Sequence, residues 1–193
     1  MTLRLEPAEL SLEVLARADV DAVAAFVGPA RPFPGLAGLL DWRLCGAVSR
    51  AVLDGTFVPE RGEVLLLPGG GRLPARRVVC FGLPDASAEE VGAAVARAAG
   101  VLARAGCRSL AVQLPGATAG EATGGEASLR AWLEASVRHG LSPQIVLGDP
   151  RALARQLAAA AAGLDAEVAV GPPRRAEAGE RDVRLPVRGP VVR

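Results

Sequence analysis

The sequence predicts an α/β fold in a single soluble domain, and two observations support this prediction. Short apolar runs alternate along the chain with longer segments in which apolar residues recur every three or four positions. This alternation of strands with amphipathic helices is typical of a layered α/β domain. The chain has 193 residues, a length that suits one domain with an additional tail.

The first half of the chain contains three predicted strands and one long helix. Residues 20–27 form an apolar run between turn signals, which indicates a buried strand. Residues 36–53 repeat leucine, alanine and valine on one helical face, so we expect a single helix there. Residues 63–67 and 77–82 are apolar runs on either side of the proline- and glycine-rich stretch 68–74, which predicts two adjacent strands, most simply a hairpin.

Capping signals place three helices in the second half of the chain. Ser87 and Glu90 have the spacing of a capping box, and Thr123 and Glu126 repeat that spacing. Asp149 precedes a proline, as an N-cap residue does when proline takes the first helical position. Each signal is followed by an apolar stripe and then by a glycine, so each predicts a helix with a defined end.

Two further strands and a tail complete the predicted organisation. Apolar runs at residues 109–114 and 142–148 alternate with the helices and predict buried strands. Beyond these elements we expect a short strand at residues 168–170, and the remainder is open between an edge strand and a linker. We therefore predict one domain over residues 1–163 and a C-terminal extension over residues 164–193.

The composition excludes several classes of partner. The formal net charge is +1, from 22 basic and 21 acidic residues. The protein therefore has no strong electrostatic field that would attract nucleic acid or an anionic membrane. Every basic residue is arginine, and the chain contains no lysine and no asparagine. Chemistry that requires either of these side chains is therefore excluded.

The cysteines and the N-terminal residues predict a cytoplasmic location. Cys45, Cys80 and Cys107 are far apart and lack the paired spacing of a zinc site or a disulfide framework. Charged residues interrupt residues 1–15, which therefore do not resemble a signal peptide. No apolar run approaches the length of a membrane span. We expect reduced thiols, no metal and no membrane contact.

The sequence offers no catalytic centre. His139 is the one histidine, and its position directly before Gly140 predicts a role at a helix end. The glycine triplet at residues 69–71 follows a strand, but no helix follows it, so it is not a dinucleotide-binding fingerprint. A phosphate-binding P-loop needs a lysine that the chain lacks. We therefore expect neither an enzyme nor a cofactor.

Five short segments follow one another in a characteristic order. They are GLLDWRL at residues 38–44, SR at 49–50, GE at 62–63, GRLPA at 71–75 and the strand 78–82 with leucine behind it. Together they resemble the N-terminal, non-catalytic domain of the leucyl aminopeptidase family, over roughly residues 15–163. The order of the segments carries the resemblance, because each segment alone is short.

The resemblance implies a fold similar to macro domains, with three layers and a mixed, mostly parallel sheet flanked by helices. In the aminopeptidase family, catalysis belongs to a second, C-terminal domain that holds two metal ions with Asp, Glu and Lys. This sequence contains no lysine, so we expect no peptidase activity from it. The strand that opens the ligand pocket of macro domains usually ends in asparagines, whereas residues 24–27 here read AAFV. Hydrolysis of ADP-ribose is therefore not expected, and Asp21 is the candidate for an adenine-side contact.

The loop at residues 115–125 is the candidate ligand-binding segment. It lies between a predicted strand and a predicted helix N-terminus, where exposed N–H groups and the helix dipole favour an anion. The resemblance to macro domains implies a loop that cradles a diphosphate. The alternative is a surface loop whose threonine merely caps the next helix. The candidate residues are Gly116, Thr118, Gly120, Thr123, Gly124 and Gly125.

Two functions remain open at the level of sequence. The first is a non-catalytic interaction domain that associates with itself or with an aminopeptidase, as the resemblance implies. Trp42 is its candidate interface residue, because it lies nearly opposite the apolar stripe of its helix and tryptophan is favoured in protein contacts. The second is a macro-type module that binds a nucleotide or an ADP-ribose-like anion at Gly116–Gly125.

Overall fold

The computed structural model describes residues 2–84, 87–116 and 125–175, which form a seven-stranded sheet between two layers of helices. The strands are β1 (Thr2–Glu9), β2 (Ala22–Val27), β3 (Val64–Pro68), β4 (Arg77–Gly82), β5 (Leu110–Val112), β6 (Gln144–Gly148) and β7 (Glu167–Val170). The helices are α1 (Leu12–Arg17), α2 (Gly35–Arg43), α3 (Ala47–Leu53), α4 (Ala88–Arg104), α5 (Gly125–His139) and α6 (Pro150–Ala161).

The strands follow the order β3-β4-β2-β5-β6-β1-β7 across the sheet. The pair β3–β4 is antiparallel, and every other neighbouring pair in the described residues is parallel. A hydrophobic core lies on each face of the sheet. Because strand side chains alternate between faces, β4 contributes side chains to both cores. Val79 and Phe81 pack with α4, α5 and α6, whereas Val78 and Cys80 pack with α1, α2 and α3. The three-layer α/β fold with a mixed, mostly parallel sheet is thus confirmed.

The strand β1 is an element that the sequence analysis did not predict. It pairs in parallel with β6 on one side and with β7 on the other, so it is central to its half of the sheet. Leu3 and Leu5 are buried in the core, while Arg4 and Glu6 alternate with them. The short strand expected near the C-terminus is present as β7, in the same sheet as the other strands.

The single helix predicted over residues 36–53 is wrong, because the structure contains two helices, α2 and α3. The backbone turns at Cys45 and Gly46, whose φ angles are 55° and 77°. The Gly46 N–H donates to the Asp41 carbonyl at 2.7 Å and closes α2. The Asp41 carboxylate then accepts the N–H of Ser49 at 2.9 Å and its hydroxyl at 2.5 Å. Asp41 therefore fixes the junction between the two helices.

Two of the three predicted helix caps lie in the described residues, and both are present. Ser87 and Glu90 form the predicted capping box, with the Ser87 hydroxyl accepting the Glu90 N–H and the Glu90 carboxylate accepting the Ser87 N–H. The Ser87 N–H and the Ser87 hydroxyl both donate to the Glu90 carboxylate, and these two hydrogen bonds lower the pKa of Glu90. Asp149 accepts the N–H groups of the first turn of α6, as its position before Pro150 predicts. Thr123, the proposed cap of α5, lies outside the described residues.

Candidate functional site

A small pocket lies at the carboxyl ends of β2 and β5, where parallel sheets usually bind ligands. Its volume is about 280 Å³. The floor comes from the two strands, and the rim comes from the segment that leads into α2 and from the first residues after β5. The lining residues are Phe26, Gly28, Pro34, Gly35, Leu83, Gln113, Leu114, Pro115 and Gly116. The lining is mostly apolar, and Gln113 contributes its one long polar side chain.

The side chain of Gln113, a residue distant in sequence, caps the N-terminus of α2. Its side-chain oxygen accepts the N–H of Leu36 at 2.6 Å. No side chain of the preceding residue caps this helix, so Gln113 supplies the hydrogen bond that an N-cap residue would otherwise give. One N–H group of the α2 N-terminus is therefore already used within the protein. No local sequence pattern indicates this role of Gln113, because its partner lies 77 positions away.

Gly35 is required at the start of α2 for two reasons. Its φ angle is +59°, and an added Cβ would overlap the Gln113 side-chain oxygen, closer than non-bonded atoms can approach. We expect Gly35→Ala to lower the free energy of unfolding by about 1–3 kcal/mol, because alanine is strained at positive φ and would displace Gln113. Urea unfolding monitored by circular dichroism measures this loss. Gly55→Ala is the control for φ strain alone, since it has a φ of +69° and nothing within 4 Å of the added Cβ; an equal loss in both variants would contradict the role of Gln113.

A second surface, on the α2 side of the molecule, surrounds Trp42. The Trp42 side chain is 67% exposed. It borders a groove of about 650 Å³ together with Phe33, Asp41 and Cys45. The Arg31 guanidinium stacks 4.1 Å from the centre of the Phe33 ring, a cation–π contact. We call the surface formed by Arg31, Pro32, Phe33, Asp41, Trp42 and Cys45 the Trp42 surface.

Neither His139 nor Cys80 lines the pocket at the carboxyl ends of the strands. His139 is the last residue of α5, as predicted, and its carbonyl accepts a hydrogen bond from Arg108 at 3.2 Å. Burial raises the pKa of the Cys80 thiol to about 12, with a smaller contribution from the Asp41 charge, so this thiol stays neutral. Within residues 2–84, 87–116 and 125–175, no three His, Cys, Asp or Glu side chains are grouped so that they could hold a metal ion.

One family model matches the chain. It describes the cytosol aminopeptidase family, N-terminal domain, and it covers residues 24–138, more than half of the 193 residues. The chain belongs to this family. The match confirms the resemblance drawn from residues 38–82, and it concerns the N-terminal domain and not the catalytic domain. No curated protein matches the sequence of this aminopeptidase N-terminal domain at a significant level.

Solved structures support the same fold for this aminopeptidase N-terminal domain. A mutant leucine aminopeptidase from tomato is 19% identical with a TM-score of 0.54, over 80% of this chain and 35% of the enzyme. The macrodomain of Mycobacterium tuberculosis DarG is 15% identical with a TM-score of 0.54, over 72% of this chain and 96% of that domain. An Oceanobacillus iheyensis macrodomain mutant with ADPR is 14% identical with a TM-score of 0.54, over 79% and 89%. The chain thus spans about a third of the tomato enzyme, and the fold is macro-domain-like.

The glycine-rich loop of this aminopeptidase N-terminal domain is described only at its ends. Gly116 lines the pocket at the end of β5 and has a φ of +71°, and Gly125 is the first residue of α5. The loop therefore leaves the sheet at the pocket and enters the N-terminus of α5. The other candidate residues, Thr118, Gly120, Thr123 and Gly124, lie outside the described residues.

Asp21 does not lie at this pocket. It precedes β2, so the length of the strand, roughly 20 Å for six residues, separates it from the carboxyl edge. Its carboxylate accepts the N–H groups of Arg108 and Ser109 at 2.8 and 2.9 Å. These hydrogen bonds, that of Ser109 first, lower the pKa of Asp21. The structure thus places the carboxylate at the start of β5, where it holds two strands together, and away from the candidate loop.

None of the helices in the described parts of the chain combines the length and the apolar composition needed to cross a membrane.

Proposed function

We propose that this chain is a non-catalytic interaction domain that binds another protein chain through the Trp42 surface. The observation that supports the proposal most directly is the 67% exposure of Trp42 beside Phe33 and the Arg31 guanidinium. Tryptophan and arginine are the side chains most enriched among the energetically dominant residues of protein interfaces. A tryptophan left largely in water therefore favours a surface that a partner covers.

The support beneath Trp42 is rigid, which suits a binding surface. Asp41 holds the junction of α2 and α3 through Ser49, and the Gln113 side chain holds the start of α2. Arg43 donates to the Arg72 carbonyl at 2.8 Å, which ties the end of α2 to the loop between β3 and β4. Little conformational freedom remains to be lost when a partner docks on α2, which favours affinity.

The family suggests which partner to test. The chain matches the N-terminal domain of an aminopeptidase family, and that family's full-length enzymes carry a domain of the same kind. A full-length leucine aminopeptidase is therefore the first partner to mix with this chain. We expect a complex that elutes earlier than either protein in size-exclusion chromatography with light scattering.

Trp42→Ala tests the surface directly. We expect the variant to bind the aminopeptidase at least about 30-fold more weakly, because truncation of a central interface tryptophan typically costs about 2 kcal/mol or more. Leu53→Ala is the matched control, since Leu53 is 83% exposed but does not border the groove. Wild-type protein that forms no complex, or equal binding by both variants, would count against the proposal.

A second candidate function is the binding of an ADP-ribose-like anion at Gly116–Gly125. The position of Gly116 and of the α5 N-terminus at the carboxyl edge of the sheet favours it, and one structurally similar macrodomain contains ADPR. The Leu36 N–H already donates to Gln113 and is not free to bind an anion, so we place this function second. Titration calorimetry with ADP-ribose, ADP and phosphate tests it, and the absence of heat at millimolar ligand excludes it.

A further inference from the structure

The edge strand β3 exposes an apolar surface on the face opposite the Trp42 surface. Leu66 is 61% exposed and Val64 is 45% exposed, although both are large apolar side chains in a strand. The register places Val64 opposite Phe81 and Leu66 opposite Val79. Paired residues share one face of a sheet, so Val64 and Leu66 lie on the α4 side, whereas α2 and Trp42 lie on the other side.

The same register shows which backbone groups of β3 are free to pair outward. Gly82 donates to the Glu63 carbonyl at 2.8 Å, and Gly69 donates to the Arg76 carbonyl at 2.9 Å. In an antiparallel ladder the bonded positions alternate, so Leu65 and Leu67 bond β4 as well. The N–H and C=O groups of Val64 and Leu66 therefore point away from β4, where no other described strand lies.

Within the part of the chain that the structure describes, this edge lacks most of the features that usually prevent strands from associating. Natural edge strands are protected by charged residues, prolines, bulges or covering segments. The sequence of β3 is VLLLP, with no charge in it, and its proline stands at the last position. At the other edge of the sheet, by contrast, β7 starts with Glu167, and two prolines follow it.

We propose that β3 pairs in antiparallel fashion with β3 of a second copy of this chain, about a twofold axis at Leu66. Leu66 of each copy then donates to and accepts from Leu66 of the other. The Val64 N–H of each copy donates to the Pro68 carbonyl of the other, and Pro68 ends the pairing because it has no N–H. An interface of this kind is self-complementary, as a twofold axis requires.

The electrostatics of this arrangement favour a second copy over a charged peptide. Val64 faces Pro68, Leu65 faces Leu67 and Leu66 faces Leu66, so no charged side chain opposes another across the pair. The net charge of +1 adds no long-range repulsion between two copies. A charged segment would instead leave its charges against Val64 and Leu66 without a counter-ion.

The size of the contact sets its strength. A stable interface buries about 800 Å² on each partner, and one five-residue strand with two exposed side chains covers much less. The pairing is therefore weak and depends on concentration. The pairing rests on the proposed interaction function and makes a second copy one partner of that domain. It uses a different face of the protein from the Trp42 surface, so either proposal can fail without the other.

Sedimentation equilibrium of the full chain tests the pairing. The expected mass rises from that of one chain, 19.7 kDa, toward twice that value between about 10 μM and 1 mM protein. We expect Leu66→Arg to abolish the rise, because two guanidinium groups would face each other across the twofold axis. Leu53→Arg adds the same charge at a side chain that is 83% exposed on α3, and it should associate as the wild type does.

Amide hydrogen exchange measured by NMR provides a readout of the pairing itself. The Leu65 and Leu67 amides, bonded to β4, should be protected at every concentration, whereas protection of the Leu66 amide should grow with concentration. A single-chain mass at about 1 mM, or association that Leu66→Arg leaves intact, would overturn the proposal. Protection of the Leu66 amide at all concentrations would also overturn it, since a segment of the same chain would then cover the edge. Loss of association in Trp42→Ala but not in Leu66→Arg would assign self-association to the Trp42 surface instead.

Discussion

Replacement of Trp132 by alanine is expected to lower the free energy of unfolding by about 3–5 kcal/mol, the range for truncating a large aromatic side chain in a core. Trp132 lies on α5 and is fully buried, in the same hydrophobic core as Leu102, Leu129 and Leu133. The change removes the packing of the indole ring and leaves a cavity that the aliphatic side chains around it can fill only in part.

A buried hydrogen bond adds to this loss. The Trp132 indole N–H donates to the Gln144 side-chain oxygen at 2.7 Å, and the Gln144 amide donates to the Leu141 carbonyl at 2.7 Å. Gln144 is 1% exposed, so alanine at position 132 would leave its oxygen without a partner. An unsatisfied buried acceptor costs about 1–3 kcal/mol, which places the expected loss in the upper part of the range.

The chain contains its own control for this prediction. Trp42 is 67% exposed, so Trp42→Ala should change the free energy of unfolding by about 0.5 kcal/mol or less. Urea unfolding of the two variants, followed by circular dichroism, compares loss of a buried and of an exposed tryptophan in one protein. Similar destabilisation of both variants would contradict the placement of the two side chains.

Replacement of Asp21 by alanine is expected to lower the free energy of unfolding by about 2–3 kcal/mol at neutral pH, because hydrogen bonds to a charged group contribute about 1.5–3 kcal/mol. The carboxylate accepts the N–H groups of Arg108 and Ser109, and the Asp21 N–H donates to the Ser109 hydroxyl at 2.9 Å. These contacts fix the start of β5 against the start of β2. Alanine would leave the two N–H groups without their acceptor.

The contribution of Asp21 should depend on pH with a defined sign. The hydrogen bonds from Ser109 and then Arg108 lower its pKa in the folded protein below the ordinary value of 3.8. A group with a lowered folded pKa stabilises the protein fully above its unfolded pKa, and this stabilisation is lost as the pH falls through the folded pKa. The stability difference between wild type and Asp21→Ala should therefore be constant near neutrality and shrink below about pH 4.

Urea unfolding at a series of pH values measures this dependence. Asp54→Ala is the control, because it removes a carboxylate from the exposed end of α3, where surface substitutions change stability by about 0.5 kcal/mol or less. A difference between wild type and Asp21→Ala that stays unchanged or grows in acid would contradict the assigned hydrogen bonds.

Local sequence patterns predicted most elements of this fold but missed one strand. In β1, the buried Leu3 and Leu5 alternate with Arg4 and Glu6, and this period of two residues is itself a strand signal. The charged residues interrupt the segment, so β1 lacks the continuous apolar run that marks the other buried strands. The break between α2 and α3 was missed for a different reason, since Gly46 acts together with a left-handed Cys45 and a cap from Asp41.

The candidate site could be predicted in part, because a loop between a strand and a helix has a fixed place in a parallel sheet. Gly116 lines the pocket at the carboxyl edge of the sheet, whereas Asp21 lies at the amino end of the same sheet. Sequence similarity around Asp21 carried no information about which edge of the sheet its carboxylate would serve. The pairing of Gln113 with Leu36 joins residues from separate elements, and no local pattern encodes it.

The sequence by itself determined the family, the alternation of strands and helices, and the absence of lysine and asparagine. Composition and local periodicity do not depend on which distant segments are in contact. Only the tertiary structure decided the position of β1 between β6 and β7, the buried pair Trp132–Gln144 and the exposed edge at Leu66. These features depend on contacts between segments that are distant along the chain. Side-chain burial at Leu66 depends on which strand lies beside it, and sheet order is a global property of the fold.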